Sequence, residues 1–498
     1  MIAADQTALP VIGLEVHVEL ATATKMFCRC LNRFGDPPNT HTCPVCIGMP
    51  GVLPVMNRKA IEYAIKAGLA LNCRIPPFTK WDRKSYYYPD LPKNYQISQY
   101  DLPLAVGGHL EIPLSGGAAK KIGIIRAHLE EDAGKNIHDF PAHTGVDLNR
   151  AGVPLLEIVS EPHLNSVEEV LSFARSMQRL VRWLGVSQAN MQMGHMRFEP
   201  NISMWTGDPD RVFDESAGHF TPIFEVKNLN SFRALERTCQ WVIDYHLARI
   251  AEHGAAWSQA EVGKQNWGWR DDLNACEFQR GKEEAHDYRY FPEPDLVPVV
   301  VDDDWRERIA AEIGELPIAR KARYLSEYKL TDKEADALTQ DAPTGDLLDS
   351  AVRLGGDPRH CVNVMLGKLA AIANERGCAI AQVGYSAEQL ADLTRMIVAR
   401  YITSTNVPVI VAFGIDSGEI PSTEAEARGL LAVSDAGQIA EWVDQAIAAN
   451  PQAVADVAAG GKKQKKAFGF LMGQVMQLSK GAAAPAEVQK LLREKLGG

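Results

Sequence analysis

Four of the nine cysteines fall between Cys28 and Cys46, as C-x-C followed after twelve residues by C-x-x-C in "CRCLNRFGDPPNTHTCPVC". Four thiolates, Cys28, Cys30, Cys43 and Cys46, can surround one tetrahedral Zn2+, and a closed four-sulfur site leaves no position open for substrate, so its role is structural. The other reading is a reduced cluster that carries no metal, and His41 lies within the run as an alternative nitrogen ligand. A different chemistry is set up in "IGLEVHVEL", Ile12 to Leu20. Strand alternation directs Leu14, Val16, Val18 and Leu20 to one face and Glu15, His17 and Glu19 to the other. An acid, imidazole, acid face is either the wet side of a strand or a place for a hard cation.

Two further runs carry carboxylates in extended patterns. "IRAHLEEDAGKN" puts Arg126, His128, Glu130 and Asp132 on one face and Glu131 on the other, and "LLEIVSEP" sets Glu157 in an apolar run. An unpaired charge in such a run is costly, so Glu157 requires a cation or an arginine. Glu and His side chains with shared waters can hold Mg2+ beside substrate phosphates, and ordinary salt bridging is the alternative.

Aromatic and basic residues are interleaved in "WDRKSYYYPDLPKNYQISQYD", where Lys93 can meet a phosphate and Tyr86 to Tyr88 can stack on a base, or the whole can be a packed loop. No GxxxxGK[ST], GxGxxG or GxSxG run is present, so a nucleotide site here is of another design. No amidase signature appears either, so ammonia must come from a partner or from solution. Near the C-terminus "GGKKQKKAFGF" gathers Lys462, Lys463, Lys465 and Lys466 at the start of a helix, against its macrodipole, where RNA phosphate is the natural counterpart and a solvated turn the alternative. With a formal net charge of −11, any RNA contact is confined to such a patch.

The elements that position these residues follow from the rest of the chain. At 498 residues it is too long for one core. From Pro10 to Pro298 short β-like runs alternate with helices such as "SVEEVLSFARSMQRLVRWLG", which predicts one large α+β domain. After Trp305 helices dominate, and a break near Gly384 precedes the last segment, in which Ile439, Trp442, Val443, Ala446 and Ile447 recur at helical spacing. The expected domains are residues 1–300, 301–384 and 385–498. No stretch reaches membrane-spanning length and no leader pattern opens the chain, which makes the cytoplasm the expected compartment.

The runs "IGLEVHVEL", "YPDLPKNYQISQYDLPL", "HLEEDAGKN", "DLNRAGVPLLEIVSEP", "EVKNLNSF" and "KEEAHDYRYFPEPDL", in this order, resemble the GatB family, the B-type subunits of the bacterial glutamyl/aspartyl-tRNA amidotransferases, as does the tail "KKAFGFLMGQVMQLSKG". The resemblance implies an N-terminal catalytic cradle on a mixed or antiparallel sheet with a zinc-binding insertion, a helical middle domain and a small helical tRNA-binding tail. It implies ATP, Mg2+ and structural Zn2+ as cofactors, with a glutaminase subunit, a third and smaller subunit, and tRNA as partners. The reaction implied is ATP-dependent phosphorylation of the side-chain carboxylate of mischarged Glu-tRNA(Gln) or Asp-tRNA(Asn), followed by amidation with ammonia. By carry-over Glu15, His17, Glu130 or Glu131, and Glu157 form the catalytic, magnesium-holding group, while Tyr88, Lys93, Arg197, Glu199, Asn201 and Lys227 contact ATP.

Two stretches depart from the family pattern. "GHMRFEPNIS" stands where the family reads like "GSLRCDANVS", and "KQNWGWRDDLNACEFQRG" has no clear counterpart. The archaeal-type E-subunit relative would need a large inserted domain for which this chain has no room. A zinc-containing tRNA-binding adaptor without kinase activity is the reading from another class.

Overall fold

A computed structural model describes residues 8–281, 285–432, 436–459, 463–479 and 481–496. The chain divides into two compact units, Met1–Leu316 and Pro317–Gly498.

The first unit is built on a ten-stranded sheet. Its central strand is β1 (Ala8–Glu19), flanked by β3 (Pro154–Ser160) and β4 (Met196–Gly207), both antiparallel to it. Beyond β3 lies β2 (Ala119–Glu131); beyond β4 lie β5 (Ile223–Lys227), β6 (Lys264–Arg270) and β7 (Ala275–Gly281). Only the β5–β6 pair in this series is parallel. A parallel pair requires a crossover, and the chain between these strands contains the 22-residue helix α3 (Phe232–His253).

Ile12, Leu14, Val16 and Val18 are fully buried and share one core with α1 (Arg58–Ala70), α2 (Val167–Trp183) and α3. The spacing of Val170, Phe173, Ala174, Met177, Leu180 and Val181 gives α2 its apolar stripe, and the Ser166 hydroxyl accepts from the Glu169 backbone N–H at 3.2 Å to start it. With helices covering one face, period 2 sends Glu15, His17 and Glu19 to the other.

The stretch "KQNWGWRDDLNACEFQRG" forms the β6–β7 hairpin at the sheet edge, where Trp267 stacks on Phe224 with ring centroids 4.6 Å apart. A small second sheet of Asp82–Ser85, Tyr95–Ser98 and Phe291–Pro292 carries Lys84.

The second unit is helical and holds two cores. One gathers Tyr324, Leu348, Met365 and Leu369 and continues across Gly384 to Tyr385 and Leu390. The other joins Ile439, Val443 and Ala446 of the helix Ala436–Ala449 to Leu471, Val475 and Val488, with Trp442 and Ile447 packed against it. The α+β class is as expected from the sequence. Among the described residues no helix is long and apolar enough to cross a membrane.

Candidate active site on the polar face of the sheet

The register of four strands writes a row across the polar face. His17 pairs with Arg197 on one side and Glu157 on the other, and Glu157 pairs with His128. One step along, Glu15 pairs with Glu199. Because neighbouring strands stand about 4.8 Å apart, residues in register on one face must interact, and here Glu157 is flanked by His17 and His128 while Glu15 and Glu199 set two acids side by side.

Two cation-ready triads result. The ligand atoms of His17, Glu130 and Glu157 lie within 4.8 Å of one another, and so do those of Glu15, Glu199 and Glu225. The triads adjoin, since His17 Nδ1 is 3.8 Å from Glu199 Oε1 while His17 Nε2 is 3.4 Å from Glu157 Oε2. Burial works against charge on His17, but the hydrogen bond to Glu157 and the charges of Glu199 and Glu157 push its imidazolium up to about 9. His128 Nε2 lies 3.7 Å from the same Glu157 oxygen, yet burial holds its own pKa down to about 4, so it stays neutral. Burial raises Glu130 to about 7 against the pull of Lys84. Glu157, despite its burial, is held well below the ordinary carboxylate range by the hydrogen bond and charge of His17 and by the charge of Lys84.

In the second triad Lys227 Nζ is 2.9 Å from both Glu199 and Glu225, and Asn201 Nδ2 donates to Glu15 Oε1 at 3.1 Å. Burial opposes ionisation of Glu199, but Lys227 and His17 hold it down to about 2. Arg197 donates from Nη2 to Asp132 Oδ2 at 2.8 Å, and Arg150 Nε stands 3.4 Å from the same oxygen. Beside them burial and the Asp132 charge push Glu19 up to about 8, so the Glu19–Asp132 pair carries a proton near neutrality.

The structure therefore brings together Glu15, His17, Glu130, Glu157, Arg197, Glu199, Asn201 and Lys227. It separates Glu130 from Glu131. The Glu131 carboxylate faces away, ion-paired with Lys93 and accepting the Ile97 N–H at 2.9 Å. Alternation through the last residues of β2 is the reason. Lys93 is thereby engaged with Glu131 instead of joining the triads, and Tyr88 is exposed in the loop between Ser85 and Tyr95.

His128 and Asp132, which the sequence reading set on one face with Glu130, join this face, and so do Glu225 and Lys84, to which it gave no role. The signal for Glu225 is its two-residue offset from Lys227, and for His128 its offset from Glu130. Lys84 lies on a four-residue strand too short to show a period.

The four sulfurs of Cys28, Cys30, Cys43 and Cys46 also lie within 4.8 Å of one another. Ligands about 2.3 Å from a shared tetrahedral ion sit at such separations, so the donor set fits zinc. The fully buried Lys25 extends Nζ to Cys46 Sγ at 3.7 Å, to the His41 carbonyl at 2.7 Å and to the Leu148 carbonyl at 3.2 Å. His41 Nε2 is 2.5 Å from Asp36 Oδ2, an ion-pair partner that draws its ring toward the carboxylate. The two carboxylate triads suit a hard divalent ion, with the all-oxygen one closest to what Mg2+ prefers. A cation at His17 would compete with the proton that Glu157 and Glu199 now favour.

The lysines of the tail lie elsewhere. Lys465 and Lys466 are exposed in the first turn of the helix Gln464–Leu478 and Lys463 precedes it, also exposed; Lys462 lies outside the described residues.

Comparison with known proteins identifies this architecture. Residues 10–307 match the GatB/GatE catalytic domain and residues 346–496 the GatB domain. The chain is 42% identical over 490 residues to the B-type subunit of the aspartyl/glutamyl-tRNA(Asn/Gln) amidotransferase of Carboxydothermus hydrogenoformans, covering 98% of each. It is 44% identical over 490 residues to that of Caldicellulosiruptor saccharolyticus, covering 98% of each, and 43% identical over 492 residues to that of Geobacter sulfurreducens, covering 98% of this chain and 99% of the relative. The adaptor reading is not favoured by these relatives. From residue 10 to residue 496, then, the chain belongs to the GatB family, the B-type subunits of the tRNA-dependent aspartyl/glutamyl amidotransferases.

Proposed function

We propose that this chain activates the side-chain carboxylate of a mischarged Glu-tRNA(Gln) or Asp-tRNA(Asn) with ATP and amidates it. The observation that carries the reading is the adjacency of two cation-ready triads, one all-carboxylate, on one face of one sheet. A carboxylate is a poor electrophile, whereas an acyl phosphate has a good leaving group. A substrate carboxylate oxygen attacks the γ-phosphorus, ADP leaves, ammonia attacks the acyl carbon, and inorganic phosphate leaves. Such transfer requires mainly positioning and charge neutralisation, and Mg2+, when bound by the two triads, would supply the neutralisation.

The chain's own residues supply the rest. Arg197 and Lys227 place positive charge at the edge of the acidic row, and Asn201 orients Glu15. Asp132 and Glu19 hold Arg197 in place. Zinc on Cys28, Cys30, Cys43 and Cys46 is structural in this reading. Ammonia comes from a separate glutaminase subunit, with a third and smaller subunit completing a heterotrimer, in the cytoplasm, and Lys463, Lys465 and Lys466 meet tRNA phosphate.

The test combines the purified chain with its glutaminase and small partner subunits, mischarged Glu-tRNA(Gln), Mg2+ and [γ-32P]ATP, with ammonium replacing glutamine in a parallel reaction. Coupled release of phosphate and formation of Gln-tRNA is the expected result. Binding of tRNA without ATP turnover would sink the kinase reading and leave an adaptor.

A further inference from the structure

The row that begins with Glu15 and His17 runs on along β1 to Glu19. There the Glu19 backbone N–H donates to the His195 carbonyl at 2.9 Å, which extends the β1–β4 ladder by one pair. Period 2 along β4 puts the His195 ring on the same face as Arg197 and Glu199, about 6.8 Å from Arg197. The family pattern has Ser at this position, and the phosphoryl-transfer chemistry gives the imidazole no task. Its Nδ1 has no hydrogen-bond partner among the described residues, and burial lowers the pKa of the ring, so it is neutral. What the ring does contact is Phe34, edge to face, with centroids 5.9 Å apart and planes at 86°.

Phe34 is the second observation. It is 62% exposed, yet the loop that carries it is tied down. Asn32 Nδ2 donates to the Leu20 carbonyl at 2.9 Å, at the end of β1, and Arg33 and His41 both close on Asp36, with Arg33 Nη2 donating to Oδ1 at 2.7 Å. The loop runs between Cys30 and Cys43, so the four-sulfur cluster holds both its ends. A lone exposed phenylalanine needs no explanation. One that is anchored on both sides, braced by a second ring and set at the rim of a charged face offers a fixed platform on which a nucleic-acid base can stack.

We infer that Phe34, braced by His195, stacks on the terminal adenine of the aminoacylated tRNA, and that the aminoacyl group runs from there along the polar face to the carboxylate triads. The inference rests on the aminoacyl-tRNA reading above and deepens it by naming where the 3′ end of the substrate sits. Connectivity chooses the occupant. The amino acid is esterified to the terminal ribose, so the roughly eight bonds from C1′ to a glutamyl carboxylate, at about 1.2 Å of reach each, put that carboxylate within about 10 Å of the base. From His195 to His17 the path is two residues along β4 and one strand across, about 6.8 Å and 4.8 Å, or roughly 8 Å on the diagonal. A base held on Phe34 thus brings its own carboxylate to the row of His17 and Glu157.

The test uses the reconstituted complex and two glutamylated tRNAs, one with its terminal adenosine and one with an abasic ribose in that place. Wild type is expected to lose about tenfold to a hundredfold in kcat/KM on the abasic substrate, the worth of one stacked base, and mainly through KM. Phe34→Ala is expected to lose the same factor on the normal substrate and nothing further on the abasic one, with its KM for ATP that of wild type. Phe34→Trp should behave as wild type on both substrates, and His195→Ser should fall between wild type and Phe34→Ala. Equal losses by Phe34→Ala on both substrates, or no loss on either, would overturn the stacking site. A KM for ATP that rises in Phe34→Ala together with that for tRNA would overturn it as well, by assigning the ring to the nucleotide or to the fold. A His195→Ser variant indistinguishable from wild type would remove His195 from the site. A wild-type complex that accepts the abasic end without loss overturns the inference and leaves the transamidation reading standing, whereas one that turns over ATP with neither substrate overturns that reading with it.

Discussion

His17 and Glu157 face each other in register on adjacent antiparallel strands, with Nε2 and Oε2 3.4 Å apart, and this pair ties the acidic row together. Glu157 also neighbours His128 and belongs with Glu130, so one carboxylate serves three partners from two other strands. A buried carboxylate with that many partners cannot be exchanged without leaving a charge uncompensated.

Glu157→Gln keeps the shape and removes the charge. ATP-dependent amide formation by the reconstituted complex should fall by about 10²–10³, the usual cost of removing one preorganised electrostatic partner, while circular dichroism is unchanged. Single-turnover formation of Gln-tRNA at several Mg2+ concentrations reads this directly. A variant with wild-type rates at all of them would mean that the triad of His17, Glu130 and Glu157 is structural.

Lys25 places its ammonium 3.7 Å from Cys46 Sγ. Lys25→Met leaves all four ligands in place but takes a donor from Cys46, and outer partners of this kind typically matter about 10–100-fold in metal affinity. Zinc release to a chromogenic chelator should be correspondingly faster, and Cys46→Ser should purify with little zinc at all. Equal release from Lys25→Met and wild type would show that the lysine only tethers the His41 and Leu148 carbonyls.

Lys93 and Glu131 are a nearly buried ion pair. Lys93→Met leaves the Glu131 carboxylate unpaired and should cost about 3–5 kcal/mol by urea unfolding, most of it recovered in Lys93→Met/Glu131→Gln. Unchanged stability in the single variant would instead free Lys93 for the ligand-binding role expected from the sequence.

His246 is fully buried on α3, accepts the Trp257 indole N–H at Nδ1 at 3.0 Å, and is pushed by burial down to about 3. Its folded pKa is below the ~6.5 of an unfolded histidine, so the unfolded chain binds the proton first. The contribution is therefore fully present above about pH 6.5 and is lost as pH falls toward 3, at up to ~1.4 kcal/mol per pH unit. Urea midpoints measured from pH 7.5 to 5 should slope less in His246→Gln than in wild type. Parallel slopes would count against it.

What the sequence determined by itself was local. Period-2 alternation in "IGLEVHVEL" assigned Glu15, His17 and Glu19 to one face because a strand has no other way to dispose its side chains. The cysteine spacing likewise announced a four-sulfur cluster, and the sulfurs do converge. The helix Ala436–Ala449 was legible from its apolar spacing.

Only the tertiary structure decided which distant residues share a site, because register and strand order are set by packing between segments far apart in sequence. Glu157 meets His17 through the direct pairing of β1 with β3, and Glu225 meets Glu15 through their shared neighbour β4. The choice of Glu130 over Glu131 depended on β2 remaining extended to its last residue, which its antiparallel ladder with β3 enforces. Lys93 shows the limit most plainly: its neighbours in the chain allowed either a phosphate contact or a packed loop, and in the fold it pairs with the buried carboxylate of Glu131, 38 residues further along the chain.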